Sequence, residues 1–194
     1  INPDLTTLGK IATGGTSGGI VGGKMELFKY FDFNGNNYND RYNRIHHYGT
    51  FNANPITSAA GLATLEVIET GKPQEERNYL AMILREEGNK ILIDLDLNCI
   101  IYGDSSLFHF FLQSPSEMEV DAKALLKNPD TKILKGIPKN IVSEFQKLLR
   151  EKGLNLFSYT GGVTSASHTR DDIDTSLSIF AEVLKEMKHK GSII

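Results

Sequence analysis

Six glycines within ten residues, from Gly14 to Gly23, place the strongest constraint on how this chain can fold. Glycine at this density lets the backbone adopt positive φ angles and approach another group closely. The next segment, residues 30–48, is rich in Asn and Tyr and shows neither a helical nor a strand period. Loops of that length in a compact domain are usually functional or mobile, so we expect a long loop there.

The composition excludes several classes of protein. The 194 residues carry 21 basic and 24 acidic side chains without a long run of either sign, which argues against a nucleic-acid partner. The apolar runs are too short to cross a bilayer, so we expect no membrane partner. The single cysteine, Cys99, excludes an intramolecular disulfide and a cysteine-based zinc site. No two histidines have metal-ligand spacing, so we expect no metal.

The start of the chain and the lack of glycosylation sequons bear on the origin of the protein. No signal peptide opens the sequence and no Asn-x-Ser/Thr sequon occurs, which favours a cytoplasmic protein. The chain begins Ile1-Asn2-Pro3 without an initiator methionine, so we expect a fragment of a longer protein.

From residue 54 onward the hydrophobic pattern becomes regular and predicts helices alternating with short strands. The predicted helices cover residues 54–71, 75–97, 138–152 and 169–187. The predicted strands cover residues 100–102, 107–112, 154–157 and 163–167. Small residues in the first helix should let it lie close to a neighbour, and Thr169 with Asp172 resembles a capping box on the last. This pattern predicts an α/β or α+β protein with a compact domain from about residue 73.

Two motifs in the glycine-rich segment suggest chemistry that other features oppose. Gly18-x-x-x-x-Gly23-Lys24 spells most of a phosphate-binding loop, but Met25 stands where Ser or Thr must hold magnesium. Gly15-x-Ser17-x-Gly19 fits the nucleophile elbow of hydrolases, with residues 11–13 as its strand and His168 as its base. No segment resembling an oxyanion hole precedes Ser17, and the residues after it do not resemble a short helix.

The histidines favour structural roles. His46 and His47 are adjacent, so they cannot both face one metal ion from a regular element. His109 alternates within an apolar strand, and His168 directly precedes the predicted helix cap.

Lys10 is the strongest chemical candidate from the residues alone. It stands between the apolar pattern Leu5-x-x-Leu8 and the glycine-rich segment, where partial burial is expected. Burial lowers the pKa of an amine, and a desolvated lysine amine is the group that forms Schiff bases with carbonyl compounds.

Three segments then resemble the class III pyridoxal-phosphate aminotransferases, and in particular the glutamate-1-semialdehyde aminomutase branch. The first is PDLTTLGK at residues 3–10 with the glycine-rich segment after it. The second is YGTFNANP at residues 48–55 with the helix after it, and the third is SASHTRDDID at residues 165–174. The three matches occur in the family's order and cover nearly the whole chain.

The resemblance implies roles for two residues. Lys10 would form the Schiff base with pyridoxal 5'-phosphate and move a proton at the substrate. Thr50 would bind the cofactor phosphate of the neighbouring subunit through its hydroxyl and backbone N–H, groups that suit a phosphate oxygen. The family further implies a homodimer with the cofactor site at the subunit interface and a small amino or keto substrate. His168 and Thr169 would be structural.

The resemblance also implies a fold. We expect an α/β chain that forms the C-terminal part of the type I pyridoxal-phosphate fold. Residues 1–53 would be the tail of the large cofactor-binding domain, residues 54–72 a connecting helix, and residues 73–194 the small α+β domain.

Departures from the family pattern leave alternatives open. The upstream part of the family supplies the aspartate on the pyridine nitrogen, the stacked aromatic ring and a phosphate-binding loop, so we expect these 194 residues to be inactive alone. Thr16-Ser17 replaces a typical Leu-Pro. Residues 159–162, which include Thr160, replace a segment where aminomutases carry a glutamate near the substrate amine. We therefore favour an aminotransferase over the aminomutase of tetrapyrrole biosynthesis, with a non-catalytic dimerisation or partner-binding domain and a Ser17 hydrolase as further hypotheses.

Overall fold

The computed structural model describes residues 2–194 and divides the chain into two compact units, Ile1–Gly71 and Lys72–Ile194. The first unit contains two strands, β1 (Leu5–Gly9) and β2 (Gly19–Gly23), and two helices, α1 (Met25–Phe28) and α2 (Pro55–Glu69). The second unit contains α3 (Lys72–Asp94), β3 (Ile100–Tyr102), β4 (Leu107–Phe111), α4 (Ala122–Lys127), α5 (Thr131–Lys135), α6 (Lys139–Glu151), β5 (Gly161–Val163) and α7 (Arg170–His189). No helix in residues 2–194 is long and apolar enough to cross a membrane.

The glycine-rich segment is more regular than its composition indicates. Its second half forms β2, which pairs antiparallel with β1 in a register that runs from Leu5 opposite Gly23 to Gly9 opposite Gly19. A Cβ atom on Gly23 would lie 2.7 Å from Leu5 Cδ2, so glycine permits this close pairing. The glycine-rich segment is therefore one arm of a hairpin, held by backbone hydrogen bonds without the side-chain pattern that normally identifies a strand.

The Asn- and Tyr-rich segment is held together by its own polar groups. It contains a 3₁₀ turn at Lys29–Phe31 and a π-helical turn at Asn39–Asn43. The Asp40 carboxylate accepts hydrogen bonds from the backbone N–H groups of Asn34 and Gly35. These bonds hold the pKa of Asp40 below its usual value.

Helix α2 confirms the predicted helix over 54–71, and its ends explain why. The Asn54 side-chain oxygen accepts hydrogen bonds from the N–H groups of Ile56 and Thr57, and Pro55 occupies the first turn. After the helix, Gly71 has a φ of +77°, a conformation that favours glycine.

The second unit packs helices around a three-stranded antiparallel sheet of order β3-β4-β5. Its main core joins apolar faces of α3, α6 and α7 to the sheet, with Phe110, Phe145 and Phe180 almost completely buried. A second cluster joins Ile100 and Phe111 to the short helices α4 and α5. Helices α6 and α7 confirm the predicted apolar stripes.

The two strands predicted after α6 were assigned to the wrong residues. Residues 154–157 form no strand, and Leu154 and Leu156 instead pack their side chains against the main core. The observed strand is Gly161–Val163, two residues before the predicted one. Its glycines allow close approach to β4, since a Cβ atom on Gly162 would lie 3.0 Å from the Phe108 ring. Gly161 and Gly162, which lie between the two predicted strands, are thus part of the sheet.

Candidate active-site segment

Lys10 follows β1 directly and begins a four-residue 3₁₀ turn, Lys10–Thr13, which we call the lysine turn. Its φ is +54°, in the left-handed region that few residues other than glycine adopt. Its side chain is exposed, so the expectation of partial burial is wrong for this chain. The hairpin has only two strands, and Leu5 and Leu8 of β1 are about half exposed as well.

The other side of the lysine turn is packed against α2. Ala12 and Thr13 are buried, whereas Lys10 and Ile11 are exposed. A Cβ atom on Gly61 of α2 would lie 2.8 Å from the Ala12 carbonyl oxygen, so only glycine fits there. The prediction that small residues let this helix lie close to a neighbour is confirmed.

The same contact continues into the loop after the turn. Gly14, with a φ of +64°, lies so close to the Ala60 carbonyl that a Cβ atom there would collide with the backbone. A Cβ atom on Gly18 would lie 2.8 Å from Thr57 Cγ2. Glycine is required at both positions for the loop to lie on the first turns of α2.

Thr50 lies in the turn that precedes α2. The Asn52 N–H donates to the Gly49 carbonyl at 3.0 Å, and the Asn52 side chain donates to the His47 carbonyl at 3.3 Å. Thr50 is exposed, and Ala53 beyond it has a φ of +54°. Among the residues that the structure describes, no hydrogen bond or ion pair joins Lys10 to Thr50.

The two competing motifs lack the geometry they require. Ser17 follows a 3₁₀ turn and precedes a strand, whereas a nucleophile elbow needs a strand before the serine and a helix after it. His168 lies in the second unit, where its Nδ1 accepts a hydrogen bond from the Ser165 N–H at 2.9 Å. The strand predicted at residues 11–13 is therefore wrong, and Ser17 lacks the flanking strand and helix of a nucleophile elbow.

Lys24 does not complete a phosphate-binding loop. Its ammonium group forms an ion pair with Asp4 beside the hairpin. Residues 19–23 of the motif are strand β2 and do not form the loop before a helix N-terminus that cradles phosphates. The absence of a magnesium ligand at Met25 is consistent with this geometry.

The remaining histidines contact aromatic rings. His46 stacks on Tyr48 with 5.2 Å between ring centroids, and His47 lies edge-on to Phe31 at 5.9 Å. His109 in β4 lies against Tyr102, and its partial burial lowers the pKa of its imidazole. Residues 2–194 contain no group of three or more His, Cys, Asp or Glu side chains that could hold a metal ion.

Sequence reasoning missed Thr13, the most buried polar side chain of the first unit. Thr13 lies near Lys10 because both residues belong to the lysine turn. The hydrolase hypothesis had placed residues 11–13 in a strand. The small residues of α2 were an available signal, because they let another backbone approach the helix closely.

Comparison with known proteins adds independent information. Residues 1–156 match the family model of the class-III aminotransferases. The glutamate-1-semialdehyde 2,1-aminomutase of Caldivirga maquilingensis is 31% identical over 191 residues, which cover 98% of this chain and 40% of that protein. The corresponding protein of Ignicoccus hospitalis is 33% identical over 187 residues, which cover 94% of this chain and 39% of that protein. The chain spans about 40% of the length of the curated relatives it matches.

Solved structures give the same result for the fold. An omega-transaminase from Sphaerobacter thermophilus is 26% identical with a TM-score of 0.70, and the match covers 96% of this chain and 39% of that one. A β-phenylalanine aminotransferase from Variovorax paradoxus has a TM-score of 0.69 at 23% identity, covering 98% of this chain and 40% of that one. A transaminase with bound pyridoxal phosphate has a TM-score of 0.70 at 21% identity, covering 97% of this chain and 39% of that one.

Proposed function

The chain belongs to the class-III aminotransferase family, and from this premise we propose that it supplies the lysine-bearing part of a pyridoxal-phosphate-dependent active site, with Lys10 as the Schiff-base lysine. Its fold is mixed α/β and corresponds to a part of the fold of pyridoxal-phosphate-dependent transaminases. The proposed reaction transfers an amino group between small amino and keto compounds. When bound, the cofactor supplies an electron sink for the substrate's α-carbon.

One observation carries this proposal: Lys10 has a left-handed backbone conformation at the end of a strand, on a turn that is fixed from behind by α2. A non-glycine residue in that conformation costs about 1–3 kcal/mol and persists only where the surrounding structure enforces it. Such strain is concentrated at functional sites. Lys10 is exposed whereas Ala12 and Thr13 of the same turn are buried, and an exposed primary amine suits a group that must reach a carbonyl carbon.

The residues of this chain fit the cofactor's chemistry. The Lys10 amine is the nucleophile that a carbonyl requires, and in its neutral form Nζ accepts a proton from the substrate's α-carbon. The Thr50 hydroxyl and backbone N–H are donors for phosphate oxygens, and the exposed turn at Gly49–Asn52 leaves both accessible.

Borohydride reduction tests the assignment of Lys10. Reduction of the cofactor-loaded protein should fix the cofactor to the peptide that carries Lys10, as read by mass spectrometry. Lys10→Arg should abolish the modification, whereas the control Lys24→Arg should retain it, because Lys24 is paired with Asp4. Modification of a different lysine would contradict the assignment, and no cofactor binding at all would favour the non-catalytic domain.

We propose that the complete site forms between two subunits of a homodimer. Large apolar side chains remain exposed in the first unit, including Tyr48 and Phe51 around Thr50. Exposed apolar groups of this size generally mark a surface that another chain covers. A symmetric dimer would bring Lys10 of one subunit to Thr50 of its partner.

Subunit mixing tests this arrangement. Lys10→Ala and Thr50→Ala proteins should each be impaired, but a mixed dimer regains one intact site from the unaltered residue of each subunit. Random reassortment should restore about a quarter of the unaltered activity, since half of the dimers carry one working site of two. No restoration above the sum of the separate variants would contradict a shared site.

An aminomutase is the second candidate, because curated relatives that are 29–33% identical carry that name. The reactions differ in their need for an acceptor: an aminomutase moves the amino group within one molecule, whereas an aminotransferase needs a separate keto acid. Turnover of glutamate-1-semialdehyde without a keto acid would favour the aminomutase. Turnover that requires an added keto acid would favour the aminotransferase.

A further inference from the structure

The lysine turn contains a buried hydroxyl group that the proposed chemistry does not use. Thr13 is 2% exposed, although Lys10 and Ile11 of the same turn are exposed. Its Oγ1 lies 2.9 Å from the Lys10 carbonyl oxygen and 2.7 Å from the Thr16 carbonyl oxygen. A hydroxyl donates one hydrogen bond at a time, so Thr13 shares its proton between these two acceptors.

Thr16 returns the interaction. Its hydroxyl donates to the Thr13 carbonyl at 2.7 Å, and its backbone N–H donates to the same carbonyl at 3.2 Å. Thr13 and Thr16 therefore close a ring of hydrogen bonds across the turn, with the Lys10 carbonyl as an acceptor at one end. We call these two residues the threonine pair.

Helix α2 prevents the turn from relaxing on its other face. The Ala12 carbonyl lies against Gly61, and Gly14 lies against the Ala60 carbonyl. The Thr57 hydroxyl lies 3.4 Å from the Ser17 carbonyl oxygen at the far end of the loop. The backbone of the turn is thus held by packing against α2 and by the hydrogen bonds of the threonine pair, while the Lys10 side chain stays exposed.

We propose that Thr13 is a positioning residue, which maintains the left-handed conformation of Lys10 by bonding its carbonyl group and so sets the direction of the amine. This inference rests on the proposed function, because it gives the threonine pair a role only if Lys10 reacts with the cofactor. Thr13 acts through the Lys10 backbone and does not itself contact the reacting atoms.

The test compares Thr13→Val, which removes the hydroxyl at nearly constant volume, with Thr13→Ser, which retains it. Amide hydrogen exchange in the cofactor-free protein should be about tenfold faster at Gly14 and Thr16 in Thr13→Val, as expected for loss of one buried hydrogen bond. Thr13→Ser should exchange as the unaltered protein does. Exchange across α7 provides the internal control, since that helix belongs to the other compact unit.

Cofactor attachment provides the second readout. Thr13→Val should incorporate less cofactor at Lys10 after borohydride reduction and should shift the pH dependence of attachment, and Thr13→Ser should restore both. If Thr13→Val does not fold, Thr16→Val removes the other hydroxyl of the threonine pair at a more exposed position. It should raise exchange at the same amides. Unchanged exchange and attachment in these variants would overturn the role of Thr13, even with Lys10 labelled normally.

Failure of the proposed function has a different signature. In that case the unaltered protein would not be labelled at Lys10, whatever the exchange data show for Thr13→Val. Faster exchange without any Lys10 labelling would leave the threonine pair as a structural feature of the turn and would overturn its positioning role.

Discussion

At the scale of single residues, the glycines of the segment around Lys10 determine its structure as much as the larger side chains do. Lys10 and Ala53 both have a φ of +54°, and each lies in a segment that resembles the family. Around them, glycines remove the Cβ atoms that would separate the loop from α2. Lys10 and Ala53 thus hold a backbone conformation that glycine adopts at less cost.

Substitution of Gly61 tests this contact. Alanine in a helix interior normally stabilises by about 1 kcal/mol relative to glycine. At Gly61 the new Cβ atom would lie 2.8 Å from the Ala12 backbone carbonyl, so we expect Gly61→Ala to destabilise the protein instead, by about 1–3 kcal/mol in urea unfolding. The control is Gly22→Ala, whose Cβ atom would meet nothing within 4 Å. A Gly61→Ala protein more stable than the unaltered one would show that the turn can move away from α2.

At the scale of elements, α7 shows how local chemistry fixes a boundary. The Thr169 hydroxyl accepts a hydrogen bond from the Asp172 N–H, and the Asp172 carboxylate accepts one from the Thr169 N–H at 2.7 Å. This capping box satisfies backbone donors that the helix itself leaves unpaired. We expect Thr169→Ala to cost about 1 kcal/mol in urea unfolding and Thr169→Ser to cost much less. Equal losses in the two variants would contradict a role for the hydroxyl.

The same capping box predicts a pH dependence. Hydrogen bonds from the backbone N–H and hydroxyl of Thr169 lower the pKa of Asp172 below its ordinary value of 3.8. A lowered pKa in the folded state means that the stabilisation is complete above pH 3.8 and is lost as the pH falls through the folded-state value. The stability difference between the unaltered protein and Asp172→Asn should therefore be constant from about pH 6 to 8 and shrink below about pH 4. A difference that persisted unchanged at about pH 2.5 would contradict this assignment.

Elements without a strong apolar pattern were less predictable. Helix α3 begins at Lys72, before the predicted start, because Pro73 is tolerated in the first turn of a helix. The short helices α4 and α5 lie in a stretch where the sequence pattern predicted neither helix nor strand, although Asp121 and Asp130 cap them with side-chain hydrogen bonds. Both caps are visible in the sequence, but segments of five or six residues carry too little periodicity to support them.

At the scale of the whole molecule, the two units differ in how much core they contain. Both hydrophobic clusters consist of residues after Lys72. In the described part of the first unit, Ala12 is the buried apolar side chain, while Leu5, Leu8 and Ile11 are about half exposed or more. We therefore expect the second unit to be stable without the first, and the first to be unstable alone because it contains little core.

Separate expression tests this difference. We expect residues 72–194 to fold alone and to unfold cooperatively, as followed by circular dichroism in urea, since their cores are complete. Residues 2–71 alone should show no cooperative transition. The result that contradicts this prediction is a fragment 72–194 that unfolds without a cooperative transition.

The sequence by itself determined the family, the main helices and the identity of the candidate lysine, because these depend on local patterns and on segments that keep their order along the chain. Only the tertiary structure decided that the lysine is exposed, that the glycines form a strand, and that Thr13 is buried with its hydroxyl bonded to the Lys10 carbonyl. The strand depends on pairing with β1, and the packing of the lysine turn depends on contacts with α2, which lies about fifty residues after it. A contact over that distance leaves no period in the sequence. The physical reason is that glycine is selected by what lies against it, and the neighbour is known only once the chain has folded.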